Sequence, residues 1–131
     1  MFTPSLASAP AVTRALERYC RSLEHTFGSR LRELVLYGSQ ARGDAHEESD
    51  VDVLVVVDNL TENERRIVID LAYDANAAER EVWVGISSLV YSTEQATDLR
   101  QRELLLMRDI TRDGHWLAGP KPDSRQPGVA R

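Results

Sequence analysis

The sequence predicts an α/β (α+β) domain in which helices flank a small mixed β-sheet. Three short apolar runs rich in β-preferring residues predict strands, and they cover residues 31–37, 51–58 and 82–91. Segments with apolar residues at helical spacing precede the first run and follow the second and third. No segment of the sequence repeats. The predicted order is therefore helix, strand, turn, strand, helix, strand, helix.

Three helices are predicted between and around these strands. The first covers residues 10–27, where apolar side chains form one stripe and Gly28 provides a stop. The second covers residues 61–80 and opens with a Thr-Glu-Asn-Glu capping box. The third covers residues 92–113, and its Leu-Leu-Leu-Met run at 104–107 is wide for one buried face. That width indicates either packing on two sides within the monomer or a surface for a partner chain.

Length and composition predict one globular domain. The chain has 131 residues, of which 42% are hydrophobic and 28% are charged, as in ordinary soluble proteins. We expect the domain at residues 10–118, between an N-terminal tail (1–9) and a flexible C-terminal tail (119–131) that contains three prolines.

Charge and hydropathy exclude several classes of partner. The formal net charge of −5 and the isoelectric point near 5.2 argue against general nucleic-acid binding, although Arg30, Arg32 and Arg42 could form a local basic patch. No apolar run is long enough to cross a bilayer, and residues 1–10 lack a secretory signal, so we expect a cytoplasmic protein without membrane contact. Cys20 is the single cysteine, which excludes an intrachain disulfide.

A Gly-Ser turn follows the first predicted strand. Gly38 is free to adopt positive φ and Ser39 is a good N-cap, so a helical turn should begin here. The backbone N–H groups of such a start lack intrahelical partners and can hold phosphate oxygens, while the Ser39 hydroxyl and Arg42 add a donor and a positive charge. Because many ordinary strand-to-helix turns contain Gly-Ser, this turn alone leaves the structural interpretation open.

Two carboxylates lie on one face of the second predicted strand. The period of two in a strand places Asp50 and Asp52 on the same side, about 6 to 7 Å apart. Like charges beside an apolar strand need a cation, a donor network or water, and Mg²⁺ prefers such oxygen ligands. A solvated strand start is the alternative interpretation of the same spacing.

Together these motifs resemble a known family. The run G-S-Q-A-R-G at 38–43, followed by D-V-D-V-L-V at 50–55, resembles the nucleotidyltransferase pattern of the DNA polymerase β superfamily, and most closely its minimal nucleotidyltransferases. A weaker resemblance continues through residues 84–92 and 110–114, so that it covers roughly residues 31–117. The combination of the two motifs is far more specific than either one.

The resemblance implies a nucleotidyltransferase fold and a reaction. It implies transfer of a nucleoside monophosphate, usually AMP from ATP, to a hydroxyl of a protein or small molecule, with release of pyrophosphate. Asp50 and Asp52 would be the catalytic ligands of Mg²⁺ or Mn²⁺, and Gly38, Ser39 and Arg42 would hold the β- and γ-phosphates. Members of this group often act with a small helical partner of the HEPN type, as the antitoxin of a toxin–antitoxin pair. A homo-oligomer is also compatible with the sequence.

The departure from the family pattern concerns a third acid, which active members carry on a neighbouring strand. Alignment places Gly85 at that position. Glu81 has the same strand parity but lies about 13 Å earlier along an extended chain. Glu79 ends a predicted helix and Asp74 lies within it, where a solvated carboxylate is ordinary. Two alternatives therefore stay open: an active adenylyltransferase, and a nucleotide- or partner-binding module without catalysis.

Other features add weaker alternatives. A subunit of a small-molecule nucleotidyltransferase of the aminoglycoside type would need additional acceptor-binding structure. His46 could contact a phosphate or acceptor from its loop, although a loop histidine is usually solvated. Trp83 could stack on a base, although a half-buried strand aromatic is more common.

Overall fold

The computed structural model describes residues 10–42, 50–79 and 84–121, which form a mixed α+β fold. Its elements in chain order are α1 (Pro10–Phe27), β1 (Leu31–Tyr37), α2 (Ser39–Arg42), β2 (Val51–Val57), α3 (Glu62–Ala77), β3 (Ile86–Ser92), α4 (Thr93–Gln101), α5 (Leu105–Asp113) and β4 (His115–Ala118). The predicted fold class is therefore confirmed. Among the described helices, none combines the length and apolar character that a membrane span requires.

Four strands form one mixed sheet in the order β3-β2-β1-β4. β1 pairs antiparallel with both β2 and β4, whereas β2 and β3 are parallel and are joined through α3. Because β1 ends where β2 and β3 begin, the Gly-Ser turn and the start of both parallel strands meet at one end of the sheet. This end carries the predicted site.

Strand alternation in β2 divides the core into two layers, as the sequence predicts. The odd-numbered valines of β2 pack with residues of α1 and α3 in the larger cluster. Leu54 and Val56 pack on the opposite face with α4 and α5, where Met107 and Ile110 are buried. Asp52 shares the parity of Leu54, so its carboxylate belongs to the face covered by α4 and α5.

The start of α3 is fixed by the predicted capping box. The Thr61 hydroxyl accepts a hydrogen bond from the Glu64 backbone N–H, and the Glu64 carboxylate accepts one from the Thr61 N–H, each at 3.1 Å. Arg30 donates to both Glu64 carboxylate oxygens, at 2.7 and 2.8 Å. This contact and the cap lower the pKa of Glu64 to about 2. An ion pair between Arg30, just before β1, and Glu64 of α3 thus holds the far end of the sheet.

The predicted helix at 92–113 is two helices, and its boundaries were wrong. α4 ends at Gln101, and Glu103 has a left-handed φ of 53° before α5 starts at Leu105. The break lets Ala96 of α4 and Met107 of α5 both reach the same core layer. The alternative that the 104–107 run packs on two sides within the monomer was also wrong, because Leu104, Leu105 and Leu106 are 43%, 71% and 48% exposed.

Other boundaries differ from the prediction. β3 begins at Ile86, where its pairing with β2 starts, rather than at residue 82. α3 ends at Ala77 rather than near residue 80. β4 was not predicted, because residues 115–118 become a strand through pairing with β1. Predictions for His46, Glu81, Trp83 and the tail residues 1–9 and 122–131 lie outside the described residues.

Candidate functional site

Gly38 lies against the Asp52 carboxylate. The antiparallel register pairs Tyr37 with Asp52, which places the next residue beside the same side chain. Gly38 has a φ of 77°, and a Cβ added to it would lie 2.7 Å from Asp52 Oδ2. Glycine is therefore required here both by backbone conformation and by the close approach of a carboxylate.

Gly38→Ala should destabilise the protein more than Gly28→Ala. Both glycines have positive φ, but a Cβ at Gly28 would meet nothing within 4 Å. Each alanine should lower the free energy of unfolding by about 1 to 3 kcal/mol through backbone strain, and Gly38→Ala should lose more because it also displaces Asp52. Denaturant unfolding of the two variants measures the difference, and equal losses would contradict the contact.

A short helix follows Gly38. The Arg42 N–H donates to the Gly38 carbonyl at 3.1 Å, which closes the turn of α2. His115 of β4 contacts this helix, with its Nε2 2.9 Å from the Ala41 carbonyl oxygen, and Ala41 is buried. The Ser39 backbone starts α2, while its side chain lies outside what the structure describes. Sequence reasoning missed His115, since β4 itself was not predicted.

Asp50 and Asp52 lie at the start of β2, as predicted. Asp50 is exposed and Asp52 is half-buried. Burial raises the pKa of Asp52, the neighbouring Asp50 carboxylate raises it further, and Arg42 opposes both effects. Ionisation of Asp52 is therefore less favourable here than in a free aspartate, and a divalent metal bound by oxygen ligands would offset this cost.

The raised pKa of Asp52 predicts a pH-dependent cost in the metal-free protein. A carboxyl group whose folded pKa exceeds its unfolded value stabilises the fold at low pH, and this contribution is lost as pH rises through the folded pKa. Asp52→Asn should therefore raise the melting temperature near pH 7, by about 2 °C after allowance for solvent screening. The gain should shrink toward about pH 4, where both states approach protonation.

Thermal melts in the presence of a chelator test this expectation. Asp98→Asn is the control, because Asp98 is an exposed acid of α4 paired with Arg102 just after the same helix. A gain for Asp52→Asn that does not change with pH would contradict the electrostatic cause.

The alternative of a local basic patch formed by three arginines is not supported. Arg30 pairs with Glu64, and Arg32 lies 3.7 Å from Asp58. Both arginines lie at the opposite end of β1 from Arg42, about 20 Å away along a seven-residue strand. Arg42 is the arginine of this group that acts on Asp52.

Gly85 lies near Asp50, at the position where active members of the family carry a third acid. The Val51 N–H donates to the Gly85 carbonyl at 2.8 Å, and the parallel register pairs Asp52 with Ser87. The chain next to the acid pair therefore has Gly85 just before β3 and the exposed Ser87 within β3, instead of a carboxylate. In residues 10–42, 50–79 and 84–121, no group of three or more His, Cys, Asp or Glu side chains could hold a metal ion.

The other acids considered as substitutes have different surroundings. Glu79 accepts hydrogen bonds from Arg14 and Arg18 of α1, with 2.7 Å between Arg14 Nη2 and Glu79 Oε1. These two arginines lower the pKa of Glu79. Asp74 is exposed on α3. Glu79 therefore joins α1 to the end of α3, and neither acid completes the Asp50 and Asp52 pair.

An open cavity of about 350 Å³ adjoins Asp50 on the side of β3. Its wall consists of one face of α3 and the beginning of β3, and its lining residues are Asp50, Ile69, Tyr73, Asn76, Gly85, Ile86 and Ser87. The α3 residues were not predicted as site residues. Their helical spacing would have suggested one shared face, but the cavity depends on how α3 crosses β3.

Comparison with known sequences identifies the domain. A family model described as a nucleotidyltransferase domain matches residues 15–112. Two proteins of Methanocaldococcus jannaschii with provisional names as protein adenylyltransferases are similar to parts of the chain. One is 40% identical over 45 residues, 34% of this chain and 45% of that protein. Another is 34% identical over 62 residues, 47% of this chain and 63% of that protein. The chain thus spans less than two thirds of these relatives.

Solved structures share the fold. A toxin–antitoxin crystal structure with AMP-PNP has a TM-score of 0.52 and 19% identity, and the alignment covers 80% of this chain and 74% of that chain. A mutant MntA-HpeT toxin–antitoxin structure has a TM-score of 0.51 and 20% identity, with the same coverage. At these identities the likeness concerns the fold. The family match, which spans most of the chain and both motifs, shows that this protein belongs to the nucleotidyltransferase domain family.

Proposed function

We propose that this protein transfers AMP from ATP to a hydroxyl of a protein acceptor in a reaction that depends on Mg²⁺. The observation that carries the proposal is the close approach of Gly38 to the half-buried Asp52, beside a second carboxylate. The names of the Methanocaldococcus relatives as protein adenylyltransferases support the choice of AMP and of a protein acceptor.

The residues of the site fall into two groups, one that binds the metal and one that binds the phosphates. Asp50 and Asp52 hold the divalent ion, with Mn²⁺ as an alternative to Mg²⁺. The ion, when bound, neutralises phosphate charge and stabilises the leaving pyrophosphate. Gly38 allows the backbone of the turn to approach the β- and γ-phosphates, Ser39 starts the helix that faces them, and Arg42 supplies positive charge.

The transfer itself is an in-line displacement at the α-phosphorus. The acceptor oxygen forms a bond to that phosphorus while the bond to the oxygen bridging the α- and β-phosphates breaks. Pyrophosphate leaves with the electron pair, and the hydroxyl proton passes to water. Because Gly85 offers no carboxylate, the described residues at that position provide no base for this proton, so we expect slow turnover.

A second function is favoured by the same glycine. A domain with an intact phosphate-binding turn and an incomplete set of acids could bind nucleotide, or a partner protein, without catalysis. Metal-dependent ATP binding without transfer to any acceptor would support this binding module over the enzyme.

The likeness to toxin–antitoxin complexes supports a partner for either function. We extend the proposal to a small helical protein of the HEPN type as both acceptor and partner, with this chain as the antitoxin. Leu104, Leu105 and Leu106 form an exposed apolar surface at the start of α5 that is suited to such a contact.

Incubation with ATP labelled at either end tests the transferred group. The purified protein, Mg²⁺ and a cell extract are combined with ATP labelled at the α- or the γ-phosphate. We expect protein-bound label from α-labelled ATP and release of labelled pyrophosphate from γ-labelled ATP. Protein-bound label from the γ-position would indicate a kinase, and absence of both ATP binding and transfer would exclude the nucleotide function.

A further inference from the structure

The peptide group between Ala41 and Arg42 is hydrogen-bonded on both sides. Its N–H, which belongs to Arg42, donates to the Gly38 carbonyl at 3.1 Å. Its carbonyl oxygen, which belongs to Ala41, lies 2.9 Å from His115 Nε2. Because a carbonyl oxygen only accepts hydrogen bonds, His115 Nε2 must carry a proton and donate it to this contact. Two hydrogen bonds in series therefore connect His115, through this peptide group, to Gly38.

α2 is too short to provide a partner for its own last carbonyls. The carbonyls at the end of a helix lack partners within the helix, and α2 has only four residues. The Ala41 side chain is buried in the core cluster that includes residues of α1 and α3. The Ala41 carbonyl instead pairs with His115, which lies 74 residues later in the chain. Apolar packing therefore holds one side of α2, and a hydrogen bond from β4 holds the other.

The strand that carries His115 has a fixed position in the sheet. β4 pairs with β1, and the register places His115 opposite Leu36, two residues before Gly38. Gly114, just before β4, packs so closely on β1 that an added Cβ would lie 2.6 Å from Val35 Cγ1. The position of His115 is thus determined by the same strand that leads into the Gly-Ser turn.

Both ends of this hydrogen-bonded connection adjoin the acid pair. A Cβ added to Gly38 would lie 2.7 Å from Asp52 Oδ2, and Arg42 opposes the rise in the pKa of Asp52. A rotation of the Ala41–Arg42 peptide group would move the backbone from which the Arg42 side chain extends, and it would also release the Gly38 carbonyl. These are the groups to which the proposed function assigns the β- and γ-phosphates.

From this geometry we propose that His115 is a positioning residue for triphosphate binding. Its Nε2–H holds the Ala41–Arg42 peptide group in the orientation that directs Arg42 and the Gly38 turn at the β- and γ-phosphates. His115 acts through this peptide group and not by contact with the nucleotide. The inference rests on the proposed function of the turn, and it adds a residue of β4 that belongs to neither sequence motif.

Equilibrium binding of nucleotides to the full chain tests this role. His115→Leu removes the donor, and should weaken binding of a non-hydrolysable ATP analogue by about fivefold, which corresponds to about 1 kcal/mol. Affinity for AMP, which lacks the β- and γ-phosphates, should stay within about twofold of the original. His115→Gln keeps an N–H near the position of Nε2, and should bind the analogue within about twofold of the original protein.

Transfer kinetics separate positioning from a general loss of structure. With α-labelled ATP and extract proteins, His115→Leu should raise the KM for ATP by about fivefold and leave kcat within about twofold, because the turn holds the phosphates both before and during the displacement. His25→Leu is the matched control, since His25 is an exposed histidine in the last turn of α1, and it should change neither constant. Circular dichroism checks that each variant is folded.

The outcomes distinguish this inference from the proposed function. Analogue affinity of His115→Leu within about twofold of the original would overturn the inference, and so would equal losses of affinity for AMP and for the analogue. Failure of His115→Gln to restore binding would also overturn it. If the original protein binds the analogue but transfers no AMP, the enzyme is refuted while the binding comparison still decides the role of His115. If the original protein does not bind the analogue, the proposed function and this inference are both refuted.

Discussion

Replacing both Asp50 and Asp52 with asparagine should lower the rate of AMP transfer by about 10³-fold or more. Asparagine keeps nearly the same volume but removes both negative charges that would hold the metal. Burial and Asp50 raise the pKa of Asp52, so the charged pair carries a cost in the fold that a bound cation would offset. The double variant therefore removes the negative charge that would attract the metal, and it also removes the repulsion between the two carboxylates.

Initial rates of transfer from α-labelled ATP to extract proteins measure this loss. Asp98→Asn serves as the control, because it removes an exposed carboxylate of α4 that pairs with Arg102. In the absence of metal, the melting temperature of the double variant should be no lower than that of the original protein. A double variant that retained more than about a tenth of the original rate would show that these carboxylates do not hold the catalytic metal.

Gly85→Asp should increase the rate of transfer by about 10- to 100-fold. Gly85 lies next to β2, where its carbonyl accepts from the Val51 N–H, and its φ is not among the positive values of the described glycines. A carboxylate at this position would lie beside the acid pair, where it could bind metal or accept the proton of the attacking hydroxyl. General base catalysis commonly contributes 10²- to 10⁴-fold, and we expect part of that range in an unoptimised variant.

Gly85→Asn is the matched control for this gain. It adds a side chain of the same size without the negative charge, so any rate increase from altered backbone freedom would appear in both variants. Equal rates for the two would contradict the account of the missing base. If the original protein binds ATP without transfer, transfer restored by Gly85→Asp would identify the present chain as a binding module.

The local part of the site was predictable from the sequence. The alternation of β2 placed Asp52 on the face opposite the odd-numbered valines, and burial of those valines with α1 and α3 agrees with this division. Gly38 followed from the need for positive φ at the end of β1, and Thr61 and Glu64 followed from the capping pattern. Each of these features depends on residues within a few positions of one another.

The remaining features depend on contacts between distant segments. β4 exists because residues 115–118 pair with β1, and its weak local pattern gave no strand signal. At Glu103 the chain breaks between two short helices, and Ala96 of the first and Met107 of the second belong to one core layer. The open cavity that adjoins Asp50 depends on how α3 crosses β3, so no local sequence pattern could have predicted it.

A crystal structure with Mn²⁺ and a non-hydrolysable ATP analogue tests the central claim most directly. We expect an anomalous peak about 2.0 to 2.3 Å from carboxylate oxygens of both Asp50 and Asp52, with the β- and γ-phosphates against the backbone from Gly38 to Arg42. A metal bound away from this carboxylate pair, or a triphosphate bound away from the Gly38 turn, would contradict the account.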